Sequence, residues 1–273
     1  MWRPAPPLLL MLLLTSSPTL AAPALPPAES ASREVLESSP RHGEFVDVAY
    51  VGHAPLRTWV VHPERRDKAG VVIVLHEIFG LTDWIRAITD RLAADGFIAV
   101  APDLLSGLGP DGGGTESTSS RDEVVQLVRK LTPQETAARI AAVREWARRL
   151  PSTNGKVATL GFCWGGARAF ESAGAAPPPN AVVVFYGGSP DSAGLAAVRA
   201  PVLAHYGGDD ARITSTLDAT RARMKALGRD FEPHVYEGAG HGFVRQQEGR
   251  EGANRVATEL AWPRTLAFLR RRL

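Results

Sequence analysis

One cysteine lies in a sequence pattern that could make it a nucleophile. Cys163 is the third residue of the hexapeptide 161–166 (GFCWGG), which follows the apolar run 157–160 and precedes the small-residue run 167–173. This order predicts a strand, a sharp turn and a helix, with glycines where the turn leaves no room for side chains. The helix start would place N–H groups beside the sulfur, which favours a thiolate or an oxyanion. A buried structural cysteine is the alternative, since free cysteines are commonly interior, but the flanking pattern favours the nucleophile.

Three other polar positions follow predicted strands and could act together with Cys163. They are Glu77, the adjacent pair Asp209 and Asp210, and His241. The carboxyl ends of parallel strands meet at one edge of a sheet, so we expect these side chains to converge there. A thiol needs an imidazole to take its proton, and a carboxylate must hold that imidazole in the right tautomer. Spacing alone does not choose between the two aspartates.

Among the seven histidines, His241 best fits the role of the base. It lies in a glycine-rich loop after the last predicted strand, and it follows both the cysteine and the aspartates in the chain. His205 lies within a predicted strand and is expected to be a hydrogen-bonded core residue, while His76 could shape the wall of the pocket. The remaining four fit exposed positions: His42, His53, His62 and His234.

The elements that would position these residues alternate between strand and helix. Residues 44–51 and 56–62 predict an antiparallel hairpin at a sheet edge. Further strands are predicted at 71–75, 97–101, 157–160, 181–186, 202–206 and 231–236, and helices at 82–95, 122–131, 132–150, 167–173, 215–227 and 254–271. This alternation predicts an α/β fold in which a mostly parallel, doubly wound sheet carries helices on both faces. The chain has 273 residues, 44% of them hydrophobic, which is enough for one such domain. We place this domain at residues 41–273.

Residues 104–131 interrupt the regular alternation. Three glycines at 112–114 and the Ser/Thr cluster after them predict a mobile loop, and residues 122–131 predict a short helix. Thr132-Pro133-Gln134-Glu135 then has the form of a capping box that opens the next helix. We interpret residues 104–131 as a surface excursion near the substrate entrance.

The first 24 residues have the layout of a secretory signal peptide. Arg3 precedes an apolar run at residues 8–14, and residues 22–24 (APA) fit a cleavage site, with cleavage after Ala21 as the alternative. The apolar run is too short to span a bilayer, so a retained transmembrane anchor is the weaker alternative. We expect no membrane anchor after cleavage and a periplasmic or secreted protein. Residues 25 to about 40 are rich in Pro, Ser, Ala and Glu and predict a disordered lead-in.

The charge balance and the cysteine count limit the possible partners. The formal net charge is +2, or +1 without Arg3, and nothing in it suggests a nucleic-acid partner. Cys163 is the only cysteine, so no intramolecular disulfide can form even in an oxidising compartment. An intermolecular disulfide is less favoured than a functional thiol. We expect no cofactor, no metal ion and a monomer.

Five segments, in order and without large gaps, resemble the dienelactone hydrolase family over about residues 70–273. They are 76–80 (HEIFG), 101–104 (APDL), 161–166 (GFCWGG), 207–210 (GGDD) and 239–243 (AGHGF). The resemblance implies an α/β-hydrolase fold and hydrolysis of an ester or lactone through Cys163, His241 and an acid that aligns with Asp210 rather than Asp209. Attack by the cysteine would form a thioester, which water then hydrolyses.

The resemblance also implies roles for three residues close to the cysteine. Glu77 would meet the resting thiol and be displaced when substrate binds, and the backbone N–H groups of Ile78 and Trp164 would form the oxyanion hole. An anion near the sulfur disfavours a second anion, so Glu77 would keep Cys163 protonated until substrate arrives. We hypothesise that Glu77 thereby protects the thiol from oxidation outside the cytoplasm.

Substrate identity is the least determined feature of the sequence. The family binds its substrate's carboxylate with two arginines; Arg245 matches the second, but residues 105–107 (LSG) hold no arginine at the first. Arg245 could therefore bind substrate or be a surface charge. Tyr186, at a strand end, could line the pocket or be a core aromatic.

Two other functions remain compatible with the same residues. One is a non-catalytic protein of this fold that binds a ligand or a partner. The other is a thiol redox or peroxide-sensing protein, for which the chain offers no resolving cysteine. Turnover of a simple ester that depends on Cys163 and His241 would separate the hydrolase from both.

Overall fold

The computed structural model describes residues 24–273, so the predicted signal peptide lies outside the described residues except for its last one. The strands of the described part are β1 (Gly43–Val48), β2 (Leu56–Val61), β3 (Ala69–Leu75), β4 (Ile98–Pro102), β5 (Thr153–Phe162), β6 (Ala181–Phe185), β7 (Val202–Gly207) and β8 (Phe231–Tyr236). They form one sheet in the order β1-β2-β4-β3-β5-β6-β7-β8.

The sheet is mostly parallel, as predicted. β1 and β2 form an antiparallel hairpin at one edge, β2 also pairs antiparallel with β4, and every other neighbouring pair is parallel. Every residue of β3, β4, β6 and β7 is buried. Strands buried on both faces read as continuous apolar runs, which is why the sequence shows them so clearly.

Helices cover both faces of the sheet. They are α1 (Ser32–Ser38), α2 (Asp83–Ala94), α3 (Arg121–Lys130), α4 (Pro133–Ala147), α5 (Trp164–Ser172), α6 (Ser192–Ala197), α7 (Ala211–Thr214), α8 (Leu217–Ala226) and α9 (Ala253–Arg272). Trp84 of α2 and Trp262 of α9 belong to one core cluster, and Ile140 of α4 and Phe170 of α5 belong to the other. The predicted doubly wound architecture is therefore confirmed. None of these described helices is both long and apolar enough to cross a bilayer.

The segment before β1 differs from the disordered lead-in predicted for residues 25–40. Glu29–Ala31 form a 3₁₀ turn that continues into α1, and α1 packs against α2. The indole N–H of Trp84 donates a 3.0 Å hydrogen bond to the carbonyl of Pro27. Composition misses this order because the segment has no core of its own and is held by partners far along the chain.

The excursion at residues 104–131 is organised around one buried carboxylate. Asp103 accepts hydrogen bonds from the backbone N–H groups of Leu105 (3.0 Å) and Thr115 (2.6 Å) and from the Thr115 hydroxyl (2.8 Å). The glycines at 112–114 lie in turns within this arrangement, and α3 confirms the predicted short helix. The capping box at Thr132 and Glu135 is present at the start of α4, as predicted.

Candidate active site

Cys163 lies on the sharp turn between β5 and α5. Its backbone has φ 54° and ψ −116°, a sparsely populated conformation that costs about 1 to 3 kcal/mol in proteins. A Cβ added to Gly161 would lie 2.1 Å from the Gly165 carbonyl oxygen, and one added to Gly165 would lie 2.3 Å from that of His76. The glycines are therefore required by the close approach of β5, α5 and the end of β3. This turn is the one that the hexapeptide 161–166 predicts.

A linear relay of three side chains ends at the cysteine sulfur. His241 Nε2 lies 3.1 Å from Cys163 Sγ, and His241 Nδ1 lies 2.5 Å from Asp210 Oδ2. Asp210 is 7% exposed, whereas Asp209 points away and pairs with Arg250 Nη1 at 3.2 Å. The structure thus brings together the nucleophile and base candidates, and of the two aspartates it places Asp210 in the relay.

The loop after β8 carries His241 over the carboxyl end of the sheet. The N–H of Gly240 donates to the Asn254 side chain (2.9 Å), and the N–H of Asp209 donates to the carbonyl of Ala239 (3.0 Å). A Cβ on Gly207 would lie 2.5 Å from that same carbonyl oxygen, so the loop crosses the end of β7 in close contact. These bonds fix the histidine relative to the acid that follows β7.

The other notable histidines have structural partners. His205 is fully buried and contacts the hydroxyls of Tyr236 (2.8 Å) and Thr265 (3.0 Å), which confirms the expected core residue. His76 Nε2 accepts from the N–H of Leu104 (3.2 Å), so its Nδ1–H donates to the carbonyl of Glu77 (2.7 Å). His76 therefore fixes the turn that carries Glu77.

Glu77 is buried beside the cysteine but does not hydrogen-bond to its thiol in the described chain. Its Oε2 lies 2.7 Å from Arg245 Nε, at ion-pair distance, although that N–H is not directed at the oxygen. The contact with the resting thiol implied by the family resemblance is thus absent. Arg245 holds the carboxylate, and His241 holds the sulfur.

Burial and charge keep the thiol of Cys163 protonated, and burial makes Glu77 a weaker acid than an exposed carboxyl group. Burial, followed by the charge of Glu77, raises the pKa of Cys163 to about 11, against the opposing effects of the Trp164 N–H, Arg212 and Arg245. Burial also raises the pKa of Glu77 to about 7, because it outweighs the attraction of Arg245. The pKa of Arg245 rises instead, since burial is more than offset there by two carboxylates, Glu77 and Glu29.

The two backbone N–H groups that the sequence analysis assigned to an oxyanion hole have no backbone acceptor. Trp164 is the first residue of α5, so its N–H has no acceptor one turn earlier in the helix. The N–H of Ile78 donates no backbone hydrogen bond among residues 24–273. Helix α5 begins close to the end of β3, since a Cβ on Gly165 would touch the backbone of residues 75 and 76.

Tyr186 lies directly beneath the histidine. Its ring centroid is 5.1 Å from that of His241 in an edge-to-face arrangement, and its residue is fully buried with φ 42°. Its hydroxyl has no hydrogen-bond partner in the described part of the chain. Burial, then the nearby charges of Glu77 and Cys163, raises the pKa of this hydroxyl well above its usual value.

Three charged residues near the site escaped the sequence analysis. The carboxylate of Glu29 contacts Arg245 and Arg121, and Arg212 of α7 lies close enough to influence the Cys163 sulfur. Arg121 could have been suspected, because it lies in the excursion that the sequence analysis interpreted as being near the substrate entrance. No local pattern marks Glu29, because its two partners are 92 and 216 residues away in the chain.

Two cavities lie away from the relay. One is an open groove of about 600 Å³ between α1, α2 and the β1–β2 hairpin, and its lining includes Trp59 and Asp90. Another of about 280 Å³ lies between α4, α5 and α6 and includes Arg144 and Arg168. Residues 24–273 contain no cluster of three His, Cys, Asp or Glu side chains arranged to hold a metal ion.

Comparisons of the sequence and of the structure with known proteins identify the same family. The dienelactone hydrolase family matches residues 56–273. Carboxymethylenebutenolidase 1 of Cupriavidus pinatubonensis is 31% identical over 206 residues, covering 74% of this chain and 86% of its own. A solved structure from Klebsiella pneumoniae, 27% identical, has a TM-score of 0.72 and covers 84% of this chain and 98% of its own. The dienelactone hydrolase of Anabaena variabilis, 21% identical, shares the fold, with a TM-score of 0.60 and coverage of 80% and 96%.

Proposed function

Since the chain belongs to the dienelactone hydrolase family and is a hydrolase of ester or lactone substrates, we propose that it works through a Cys163-His241-Asp210 triad and a thioester intermediate. The observation that carries the proposal is the continuous relay from Asp210 through His241 to the cysteine sulfur, with distances of 2.5 and 3.1 Å. A base at hydrogen-bond distance from its nucleophile, itself oriented by a carboxylate, is the arrangement that nucleophilic catalysis needs.

In the acylation step, His241 Nε2 takes the proton of Cys163 as the sulfur attacks the carbonyl carbon. Asp210 keeps the imidazole in the tautomer with hydrogen on Nδ1 and stabilises the imidazolium that forms. The N–H groups of Ile78 and Trp164 receive the negative charge that develops on the carbonyl oxygen. One such donor is worth about a hundredfold or more in rate in known hydrolases.

The tetrahedral intermediate then collapses to a thioester. The C–O bond to the alcohol breaks, His241 returns its proton to the departing oxygen, and Cys163 keeps the acyl group. Water next donates a proton to His241 and attacks the thioester, and the second collapse expels the thiolate, which recovers its proton. No redox partner is required for this cycle.

Tyr186 and Arg245 are proposed to border the bound substrate. Tyr186 supplies a buried ring under His241 and a hydroxyl that is not engaged by the described chain. Arg245 presents a guanidinium that is 12% exposed and already engaged by two carboxylates. Its effect on substrate choice therefore depends on those carboxylates.

Turnover of p-nitrophenyl acetate tests the triad. We expect Cys163→Ala and His241→Ala each to lose on the order of a thousandfold or more in kcat, and Asp210→Asn to lose a comparable amount, because members of a triad act as a unit. Asp209→Asn is the matched control, since its side chain pairs with Arg250 outside the relay. Activity that survives in both alanine variants would reject the triad, and a wild type without turnover would favour a binding protein of this fold.

We also propose that the protein is exported, as its first 24 residues suggest. The mature protein would then begin at residue 22 or 25 and carry its single thiol into an oxidising compartment. The intact mass of the protein recovered from outside the cytoplasm checks this. Recovery of the full-length chain in the cytoplasm would contradict it.

A further inference from the structure

A carboxylate of the chain itself occupies the arginines above the active site. Arg245 Nη1 donates a 2.5 Å hydrogen bond to Glu29 Oε2, and Arg121 pairs with the other oxygen, Oε1. The Phe79 ring lies under both guanidiniums, with its centroid 5.3 Å from the Arg245 Cζ and 4.7 Å from that of Arg121. One carboxylate is thus held between two arginines that share an aromatic platform.

The backbone around Glu29 fixes this carboxylate in place. The N–H of Glu29 donates to the carbonyl of Arg245 (2.9 Å), and the Gln247 side chain donates to the carbonyl of Pro26 (2.9 Å). Ala28 and Ser32, on either side, are buried. The Arg245 side chain is 12% exposed and that of Glu29 33% exposed, so Glu29 covers the arginine from the solvent side.

The four charges at this place balance. Arg121 and Arg245 carry +2, and above pH 7, where Glu77 is ionised, Glu29 and Glu77 together carry −2. Burial alone would raise the pKa of Glu29, but hydrogen bonds and attraction from Arg245 and Arg121 outweigh it, so its pKa is lowered and it stays ionised near neutral pH. A substrate carboxylate that entered here would add an uncompensated negative charge to a half-buried site.

Resting on the function proposed above, we propose that Glu29 is a specificity-determining residue that occupies Arg245 in place of a substrate carboxylate and so selects uncharged esters or lactones. The carboxylate is tethered by the chain, so its effective concentration at the arginines is far above that of a free substrate. An anionic substrate must displace it or bind beside it. An uncharged substrate can bind without displacing Glu29 and without adding a negative charge beside it.

Glu29→Gln tests the proposal with little change of shape. The measurement is kcat/KM for mono-p-nitrophenyl glutarate, which carries a carboxylate, divided by kcat/KM for p-nitrophenyl acetate, which does not. We expect this ratio to rise at least about tenfold, mainly through a lower KM for the anionic ester, because the local charge changes by +1 at a few ångströms from the new anion. Glu248→Gln is the matched control, since Glu248 is bonded to the neighbouring Ser30 (2.9 Å) and touches neither arginine.

A second variant keeps the test independent of the stability of the first. Arg121→Gln removes a cation whose side chain is 59% exposed, and it should lower the same ratio about threefold. A ratio unchanged in both variants, with Cys163-dependent turnover intact, would overturn the role of Glu29. Absence of ester turnover in the wild-type protein would instead overturn the proposed triad. Failure of the Glu29 proposal and failure of the proposed function are therefore distinguishable.

Discussion

At the scale of single residues, burial and the buried carboxylate of Glu77 disfavour the thiolate form of Cys163. The pKa of Cys163 is raised to about 11, so the resting sulfur is a thiol rather than a thiolate at neutral pH. Glu77 contributes to this while its own carboxylate is held by Arg245 and not by the sulfur. The protection proposed from the sequence would therefore act through the charge of Glu77, without the direct contact with the thiol that was expected.

Glu77→Gln is expected to lower the apparent thiol pKa and accelerate alkylation of Cys163 by iodoacetamide at pH 7 to 8. The charged carboxylate disfavours the thiolate, and the amide removes that charge. Since the pKa of Glu77 is about 7, its effect grows as pH rises through 7, so the rate in wild type should climb less steeply between pH 6 and 8 than in the variant. Alkylation rates measured across this range check the prediction.

The control for this experiment is Glu237→Gln, an exposed position. It should leave the pH profile of alkylation unchanged. An apparent thiol pKa that is the same in wild type and Glu77→Gln would show that Glu77 does not disfavour the Cys163 thiolate.

At the scale of elements, the turn from β5 to α5 sets the position of the nucleophile. Three backbone segments meet there without side chains between them, and Cys163 takes a strained conformation as a result. Helix α5 also provides the Trp164 N–H, which is one of the two proposed oxyanion donors. A shift of this helix by a fraction of an ångström would therefore move nucleophile and oxyanion donor together.

Gly165→Ala should reduce both stability and activity. The new methyl group would lie 2.3 Å from the His76 carbonyl oxygen and 2.5 Å from that of Leu75, so α5 must move away from β3. We expect a loss of about 1 to 3 kcal/mol in the free energy of unfolding, as is typical of overpacking, and a loss of at least about tenfold in kcat. Urea unfolding and ester turnover measure the two effects.

Gly188→Ala serves as the comparison for this variant. Its added Cβ meets only the Ile213 side chain, at an ordinary 3.9 Å. Wild-type stability in Gly165→Ala would show that the turn tolerates a side chain there.

The elements that the sequence predicts well are those with local signals. Apolar runs reveal the buried strands, the capping box reveals the start of α4, and glycine spacing reveals the turn at Cys163. The charge cluster above the site has no such signal. Glu29 and Arg245 are 216 residues apart, and neither neighbourhood hints at the other. The choice of Asp210 over Asp209 likewise needed either a family resemblance or the fold itself.

At the scale of the whole molecule, the segment before β1 is joined to the hydrolase core by polar contacts. Arg41 donates two hydrogen bonds to Asp90 of α2, at 3.0 and 2.7 Å, and the Ser39 hydroxyl donates a third at 2.6 Å. The Asp90 side chain is 5% exposed and that of Arg41 16%. These contacts anchor one end of the segment that carries Glu29.

Asp90→Ala should lower the free energy of unfolding by at least about 2 kcal/mol. A buried ion pair that loses one partner costs about 3 to 5 kcal/mol, and partial exposure of Arg41 reduces that figure. Glu259→Ala, which removes an exposed pair with Arg255 on α9, should cost less than about 0.5 kcal/mol. Equal losses in the two variants, measured by urea unfolding, would show that Asp90 does not anchor the segment.

The proposed role of Glu29 would make the charge of the accepted substrate depend on a segment that is separate from the proposed catalytic residues. Residues 56–273 match the family, and they contain all three members of the proposed triad and both proposed oxyanion donors. Glu29 precedes that region in the sequence, and its segment contacts Arg121 and Arg245 near the candidate active site. Exchange of about fifteen residues at this end of the chain could therefore reset which substrates are accepted, while the machinery that cleaves them is left untouched.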